Sequence, residues 1–439
     1  SLLAFFFPIL LGTFFQQLYN TADAVIVGNY VGKQALAAVG GTTSNLIGFL
    51  VNLFVGLSSG TTVVVAQYYG ARKYEDVSRS VHTAIALSIA AAVIITVLGI
   101  AVSYPALKAM GTPDDVMDYA LTYLRIYFLG SIASFLYNMG SGILRAMGDS
   151  KRPLYFLIVA CLTNIVLDFV FVVWFRWGVT GVAVGTVLSQ VLSAVLILQA
   201  LIKNDICPFS FRRMRFYGDV LKSIIRIGLP AGIQSDMYAI SNIMIQASIN
   251  SFGTNTVAAW AAFGKMDSFY WMVSSAFGIA ITTFVGQNFG AQKYERVHKG
   301  TKLCLALAFG AAFFFSIVFC LLRFPLLSLF TNDGDVLQIG AGVVLQMVPF
   351  YFLFVCIEIL SGSIRGTGDS LIPMLLTCGG VCVLRVVWIF AVFPLHRTLG
   401  NIVLSYPVTW VITSVLFVIY YLKGGWMKRR RGETEHSVS

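Results

Sequence analysis

Gln67 to Val77 reads QYYGARKYEDV, and Gln287 to Val297, 220 positions later, reads QNFGAQKYERV. Gly142 to Pro153, GILRAMGDSKRP, returns at the same displacement as Gly362 to Pro373, GSIRGTGDSLIP. Two separate blocks at one constant offset identify two homologous halves in tandem. Paired halves about a central cavity are a common plan for proteins that carry solutes across membranes.

The sequence flanking these blocks is too apolar for water. Hydrophobic residues make up 58% of the 439 and charged residues 11%, with a mean hydropathy of +0.82. Such a chain is a polytopic membrane protein. The seven cysteines, at 161, 207, 304, 320, 356, 378 and 382, lie mostly in apolar runs without metal-ligand spacing, which favours packing over a disulfide or zinc framework. The opening segment carries Pro8, Gln16, Gln17 and Asp23 and lacks a basic leader and a small-residue cleavage site, so it is expected to be a retained span. Because the chain opens on Ser, a short native leader is expected to be missing.

Apolar runs bounded by Gly, Pro and charge clusters predict twelve membrane-spanning helices, near 2–27, 36–68, 80–104, 116–141, 153–175, 179–202, 223–251, 257–285, 300–324, 336–361, 372–393 and 400–422. The fold class is therefore all-α: a six-helix lobe over 1–202, a cytoplasmic linker over 203–222, a second six-helix lobe over 223–422 and a basic tail over 423–439. Six spans per repeat is an even number. Both halves then enter from the same side, as a parallel repeat about a pseudo-two-fold along the membrane normal. Lys and Arg cluster at the ends of the even-numbered spans and in the tail, 21 against five on the other side. The richer side is expected to be cytoplasmic, with both termini, in the cell (inner or plasma) membrane. The formal charge of +11 is accounted for by this topology and by anionic inner-leaflet lipid, so no nucleic-acid partner is expected. Lys428 to Arg431 reads as a stop-transfer anchor.

Acids at least three residues inside the predicted spans are Asp23, Asp168, Asp236, Asp267 and Glu358; bases so placed are Arg125, Arg226, Lys265 and Arg385. A charge at mid-bilayer costs on the order of 3 kcal/mol or more unless paired or hydrated, so each is a functional candidate. Asp23 lies five residues before the Gly28–Asn29 exit of span 1, roughly 8 Å inside the outer boundary. Asn164 and Asp168, four apart, share a face of span 5. A hairpin turn near Gly178 puts Thr186 at a similar depth to Asp168. Two carboxylates, an amide oxygen and a hydroxyl converging there would make a hard-oxygen cage for Na⁺ or a pair able to share a proton. The competing reading is hydrogen-bond glue between helices.

In the second half Glu358 falls 220 positions after Asn138, so spans 4 and 10 are both polar at that level. Arg385, on span 11, is the expected ion-pair partner of Glu358. Asp236 on span 7, and Lys265 and Asp267 on span 8, are candidates to line a cavity. Pro8 and Pro230 occupy matching places in spans 1 and 7, where each removes a helical hydrogen bond and permits a bend. The Gly-Asp-Ser turns at 148–150 and 368–370 are explained by turn formation and helix capping. His82, His298, His396 and His436 stand near span ends, where surface positions are expected. No nucleotide-binding signature and no Ser/His/Asp or HExxH arrangement occurs, which argues against a pump driven by ATP and against an enzyme.

These residues give the chain a resemblance to the multidrug and toxic compound extrusion (MATE) family over essentially its whole length. The resemblance is carried by YNTADAVIVG at 19–28, GILRAMGDSKRP at 142–153 with its echo, NIVLDFVF at 164–171 and TTFVGQNFGAQKYE at 282–295. It implies twelve helices in two lobes around a cleft, and export of organic, often cationic and amphipathic compounds driven by inward Na⁺ or H⁺. Its first-helix aspartate matches Asp23, its fifth-helix Asn-x-x-x-Asp matches Asn164 and Asp168, and its sixth-helix threonine matches Thr186, as in the prokaryotic branch that has this aspartate pair. The acid on the seventh helix of another branch has no counterpart at the same position here, Asp236 being shifted. The implied partners are small organic molecules and membrane lipid, with no cofactor beyond the coupling ion and a monomeric state. A flippase for lipid-linked oligosaccharide, from the same wider superfamily, is the alternative, with Arg125, Arg226 and Arg385 as its candidate phosphate-binding cations.

Overall fold

In a hydrocarbon solvent every backbone N–H and C=O must be satisfied within the chain, and a sequence this apolar meets that demand by forming helices. The computed structural model describes residues 2–40 and 42–427, and among them only helices, turns and short connections occur. Lys428 to Arg431 and His436 lie outside the described residues. The chain divides into two compact units between Gly232 and Ile233.

The first unit contains α1 (Leu2–Tyr30), α2 (Lys33–Gly40), α3 (Thr42–Gly70), α4 (Tyr74–Ala109), α5 (Asp114–Leu129), α6 (Ser131–Ala146), α7 (Lys151–Asp168), α8 (Val179–Ile202) and the start of α9 (Gly218–Asn250). The second contains the rest of α9, α10 (Thr254–Gly290), α11 (Tyr294–Leu321), α12 (Arg323–Ser328), α13 (Gly334–Met347), α14 (Tyr351–Gly366), α15 (Leu371–Thr377), α16 (Leu384–Ala391) and α17 (Leu399–Lys423). Ten helical stretches are long and apolar enough to cross a bilayer, and α5 with α6, bent by 51°, makes an eleventh when counted as one span. With its 33 residues α9 completes the twelve, although Asp219, Lys222, Arg226 and Asp236 lower its hydropathy.

Several spans expected as plain helices are interrupted. Span 4 bends at Gly130, where a Cβ would lie 2.5 Å from the Val187 side chain. It also continues to Ala146, beyond its expected end, which brings Arg145 into the helix. Span 5 passes into a π-helix at Phe169–Trp174, directly after Asp168, and span 11 carries another at Cys378–Val383, just before Arg385. π segments insert an extra residue into the ladder and recur at functional positions. The repeat is visible in the backbone as well: Arg72 and Gln292 take φ of 59° and 57°, and Gly148 and Gly368 take 94° and 92°.

Within lipid, apolar surface alone does not hold helices together; close approach and hydrogen bonds do. In the first unit Gly56 and Gly60 of α3 face Gly228 and Gly232 of α9. A Cβ on Gly56 would lie 2.2 Å from the Gly232 nitrogen, and one on Gly60 would lie 2.5 Å from the Ile224 oxygen. The Phe54 and Phe135 rings stack at 3.8 Å in the same core, which also takes in Val81, Ile143, Ile197, Phe209 and Ile224. The linker is strapped to the start of α4. Ser210 N–H donates to His82 Nε2 at 3.1 Å, while His82 Nδ1 lies 2.7 Å from the Ser78 carbonyl and Tyr217 N–H donates to Thr83 Oγ1 at 3.2 Å. His82 is thus 2% exposed, against the expected surface position. A buried neutral imidazole with one donor and one acceptor nitrogen matches a carbonyl and an N–H at once.

In the second unit the Tyr270 and Tyr351 rings stack at 4.0 Å, and Trp410 is buried against Phe354 and Trp271. All seven cysteines are free. Side chains such as Leu422, Leu321 and Phe390, about seven-tenths exposed, form the lipid-facing surface.

Candidate functional site

Helix geometry brings together the four polar residues predicted for the first repeat. On α1, Asp23 stands one turn beyond Tyr19. On α7, Asn164 and Asp168 share a face one turn apart. Thr186 enters from α8, which starts after the Gly178 turn at φ +62°. Asp23 is 5% exposed, and Asn164 and Asp168 are fully enclosed. Thr186 Oγ1 donates to Asp23 Oδ2 at 3.2 Å, and Asn164 Nδ2 approaches Asp168 Oδ1 at 3.5 Å. The Asp23 and Asp168 carboxyl groups are within hydrogen-bonding reach of each other, and the Asn164 side chain reaches Asp23 too.

What remains unsatisfied defines the chemistry. Asp23 Oδ1, Asn164 Oδ1 and Asp168 Oδ2 are buried without a hydrogen-bond partner. Three acceptor oxygens left without a donor, around two neighbouring carboxyl groups, is an arrangement that two bare carboxylates cannot hold in low dielectric. It calls for a shared proton or a hard cation. Gly185 makes the space: a Cβ there would lie 2.4 Å from Asp168 Oδ1. Sequence spacing gave no sign of Gly185, or of Tyr19, whose hydroxyl meets Ser189 Oγ at 3.0 Å and the Thr186 carbonyl at 3.4 Å.

The remaining candidates stand apart from this group. Asn138 donates to the Ser134 carbonyl at 2.8 Å, and its own carbonyl accepts from Ser58. Asp236 is half-buried on α9. Asp267 is held by Trp271 Nε1 at 2.6 Å and by the Tyr351 hydroxyl, which is a satisfied structural pair of bonds. Lys265 is exposed and lies 5.9 Å from the Phe330 ring centroid. Glu358 borders a small cavity of about 10 Å³ with Tyr270, Ser274 and Phe277, in space left by Gly278.

The expected Glu358–Arg385 ion pair does not form. Arg385 lies 3.9 Å over the Tyr406 ring and approaches Thr409 Oγ1 at 3.5 Å, because the π turn at Cys378–Val383 precedes it and α17 faces it with an aromatic ring.

The MatE family model matches residues 8–170 and 230–390, most of both repeats. The chain belongs to the MatE family. MatE proteins are transporters, not enzymes. Among similar proteins, "Probable multidrug resistance protein YoeA" of Bacillus subtilis is 27% identical, over 98% of this chain and 94% of its own. "Probable multidrug resistance protein NorM" of Thermotoga maritima is 25% identical, over 94% and 90%. The fold matches a crystal structure of MATE in the bent conformation with a TM-score of 0.90 at 22% identity, over 100% of this chain and 96% of that one. An outward-facing multidrug resistance MATE family transporter matches equally, at 0.90 and 23%, over 98% and 95%. The MatE fold and the apolar helices make this a multi-pass membrane transporter of small molecules.

Proposed function

We propose that this MatE chain is a secondary active multidrug efflux antiporter. It exports organic, often cationic and amphipathic compounds in exchange for inward Na⁺ or H⁺, by alternating access between a lobe over 1–202 and a lobe over 223–422. The observation that carries the coupling is the trio of unpartnered buried oxygens on Asp23, Asn164 and Asp168. An incoming ion fills that need, and Thr186 steadies Asp23 while it does so. Binding there transmits energy only if ion and drug prefer different states of the protein. The names of the relatives, multidrug resistance proteins, support the substrate class. The Lys and Arg asymmetry supports a cell-membrane location with cytoplasmic termini, and a monomer suffices because each repeat supplies a whole lobe.

Asp23→Asn tests this. Ion-driven efflux is expected to vanish while the protein stays folded, judged by its thermal melt. Wild-type efflux by that variant would remove the assignment. Inverted vesicles loaded under a Na⁺ gradient and then a pH gradient identify the ion, through drug-dependent collapse of one gradient alone. The flippase alternative needs free cations for a pyrophosphate, and Arg385 is already covered by Tyr406.

A further inference from the structure

Span 11 carries two cysteines four residues apart, Cys378 and Cys382, in the run TCGGVC at 377–382; the other five are far apart in sequence. In the first repeat the same positions hold Ile158 and Leu162, so the tandem fold does not require thiols here. The backbone differs as well. The π turn of the first repeat, Phe169–Trp174, corresponds to 389–394, whereas that of the second encloses both cysteines at Cys378–Val383 and closes through the Leu384 N–H on the Gly379 carbonyl. A π turn holds more residues than an α turn, so a side chain four positions on stands closer to directly above its predecessor. The two thiols are within hydrogen-bonding reach of each other.

Cys382 is buried and Cys378 half-buried. The flank beside them is open: Gly379 is exposed, and a Cβ on it would meet nothing within 4 Å, while Gly380 faces α17, where a Cβ would lie 2.2 Å from Thr413 Oγ1. What the pair can hold follows from distance. Side chains one helical turn apart keep their Cβ atoms about 5–6 Å from each other, and a disulfide needs about 3.5–4.5 Å, so a direct S–S bond fits poorly. A larger atom between the sulfurs closes that gap. Zinc in a structural site takes four protein ligands, and among the described residues no three His, Cys, Asp or Glu side chains gather as a metal site. Two thiolates alone suit a soft centre that two sulfurs satisfy.

We propose that Cys378 and Cys382 form a dithiol site for a monosubstituted trivalent arsenical, a soft centre that brings its third substituent with it. The attacking form is the thiolate, and the step needs no oxidant. Each thiol gives up its proton, two As–S bonds replace the bonds from arsenic to its oxide oxygen, and that oxygen leaves as water with both protons. Arsenic stays trivalent and neither sulfur is oxidised. The site lies in the second unit and does not depend on the coupling reading.

The test is capture of phenylarsine oxide by the purified full-length protein in nanodiscs, followed by a wash with excess monothiol and an intact-mass measurement. One phenylarsenic bridge per chain is expected to survive the wash and to be stripped by dimercaptopropanol, because a lone thiol surrenders its arsenical to the monothiol and a chelating pair does not. Trypsin releases 366–385 as one fragment, which contains Cys378 and Cys382 and no other cysteine. The bridge is expected on that fragment, with both thiol hydrogens lost. Cys378→Ser and Cys382→Ser should each lose the wash-resistant adduct, and a variant with the other five cysteines replaced by Ser should keep it. The proposal is overturned if the wild-type protein retains no adduct, if the bridge is found only on another fragment, or if both single variants retain as much as wild type. Should a Ser variant fail to fold, the fragment mass from the wild-type protein decides alone.

Discussion

At the scale of single residues, the unusual event is the enclosure of two carboxyl groups with no basic side chain bonded to them. Asp23 and Asp168 tolerate it because Thr186 and Asn164 orient them and because Gly185 leaves room for an oxygen where a methyl would stand. Gly185→Ala should therefore displace the Asp168 carboxyl. Overpacking of this kind typically costs about 1–3 kcal/mol, and a loss of that size in ion affinity is roughly fivefold to 150-fold. The expected outcome is ion-driven efflux reduced at least about fivefold at saturating drug, measured in vesicles. Efflux equal to wild type in Gly185→Ala would mean that the carboxyl position does not matter. Asp23, Asn164, Asp168 and Thr186 could be chosen from sequence because polar residues in an apolar run announce themselves. Gly185 could not, since a glycine in a membrane helix is common and only its neighbour shows what it makes room for.

At the scale of elements, two contacts fix the start of α9 within the first unit. One is the glycine crossing with α3, where backbone meets backbone. Gly56→Ala would push a methyl to 2.2 Å from the Gly232 nitrogen, with rigid backbone opposite. A loss of about 1–3 kcal/mol is expected, seen as a lower melting temperature of the purified protein; an unshifted melt would show that the crossing yields without strain. The other contact is the linker strap on α4. His82→Ala leaves the Ser210 N–H without its acceptor, at a cost of about 1–3 kcal/mol, and opens a hole against Phe209. Limited proteolysis between 203 and 217 is expected to quicken in that variant; an unaltered cleavage rate would show that the strap holds without the imidazole. Neither element could be read in the chain beforehand. The linker looked like a basic, polar connection and His82 like a surface residue, because periodicity in α4 says nothing about a segment that returns 128 residues later.

At the scale of the whole molecule, the alternation of loop charge sets the orientation that the proposed antiport needs. Single cysteines at Arg213 and at Arg176, in a background without the seven native ones, should label from opposite sides of sealed, right-side-out cells, with only the Arg176 position reached from outside. Labelling of both from one side would reverse or break the topology.

By itself the sequence determined the solvent, the twelve crossings, the tandem repeat and the polar residues of the first repeat, because hydropathy, constant offset and isolated charge are properties of the chain in one dimension. The tertiary structure alone decided which charges meet. Arg385 turns to Tyr406 after a π turn instead of pairing with Glu358. Such pairings depend on helix rotation, and one inserted residue in a π segment rotates everything after it by about 100°, a quantity that no spacing in the chain records.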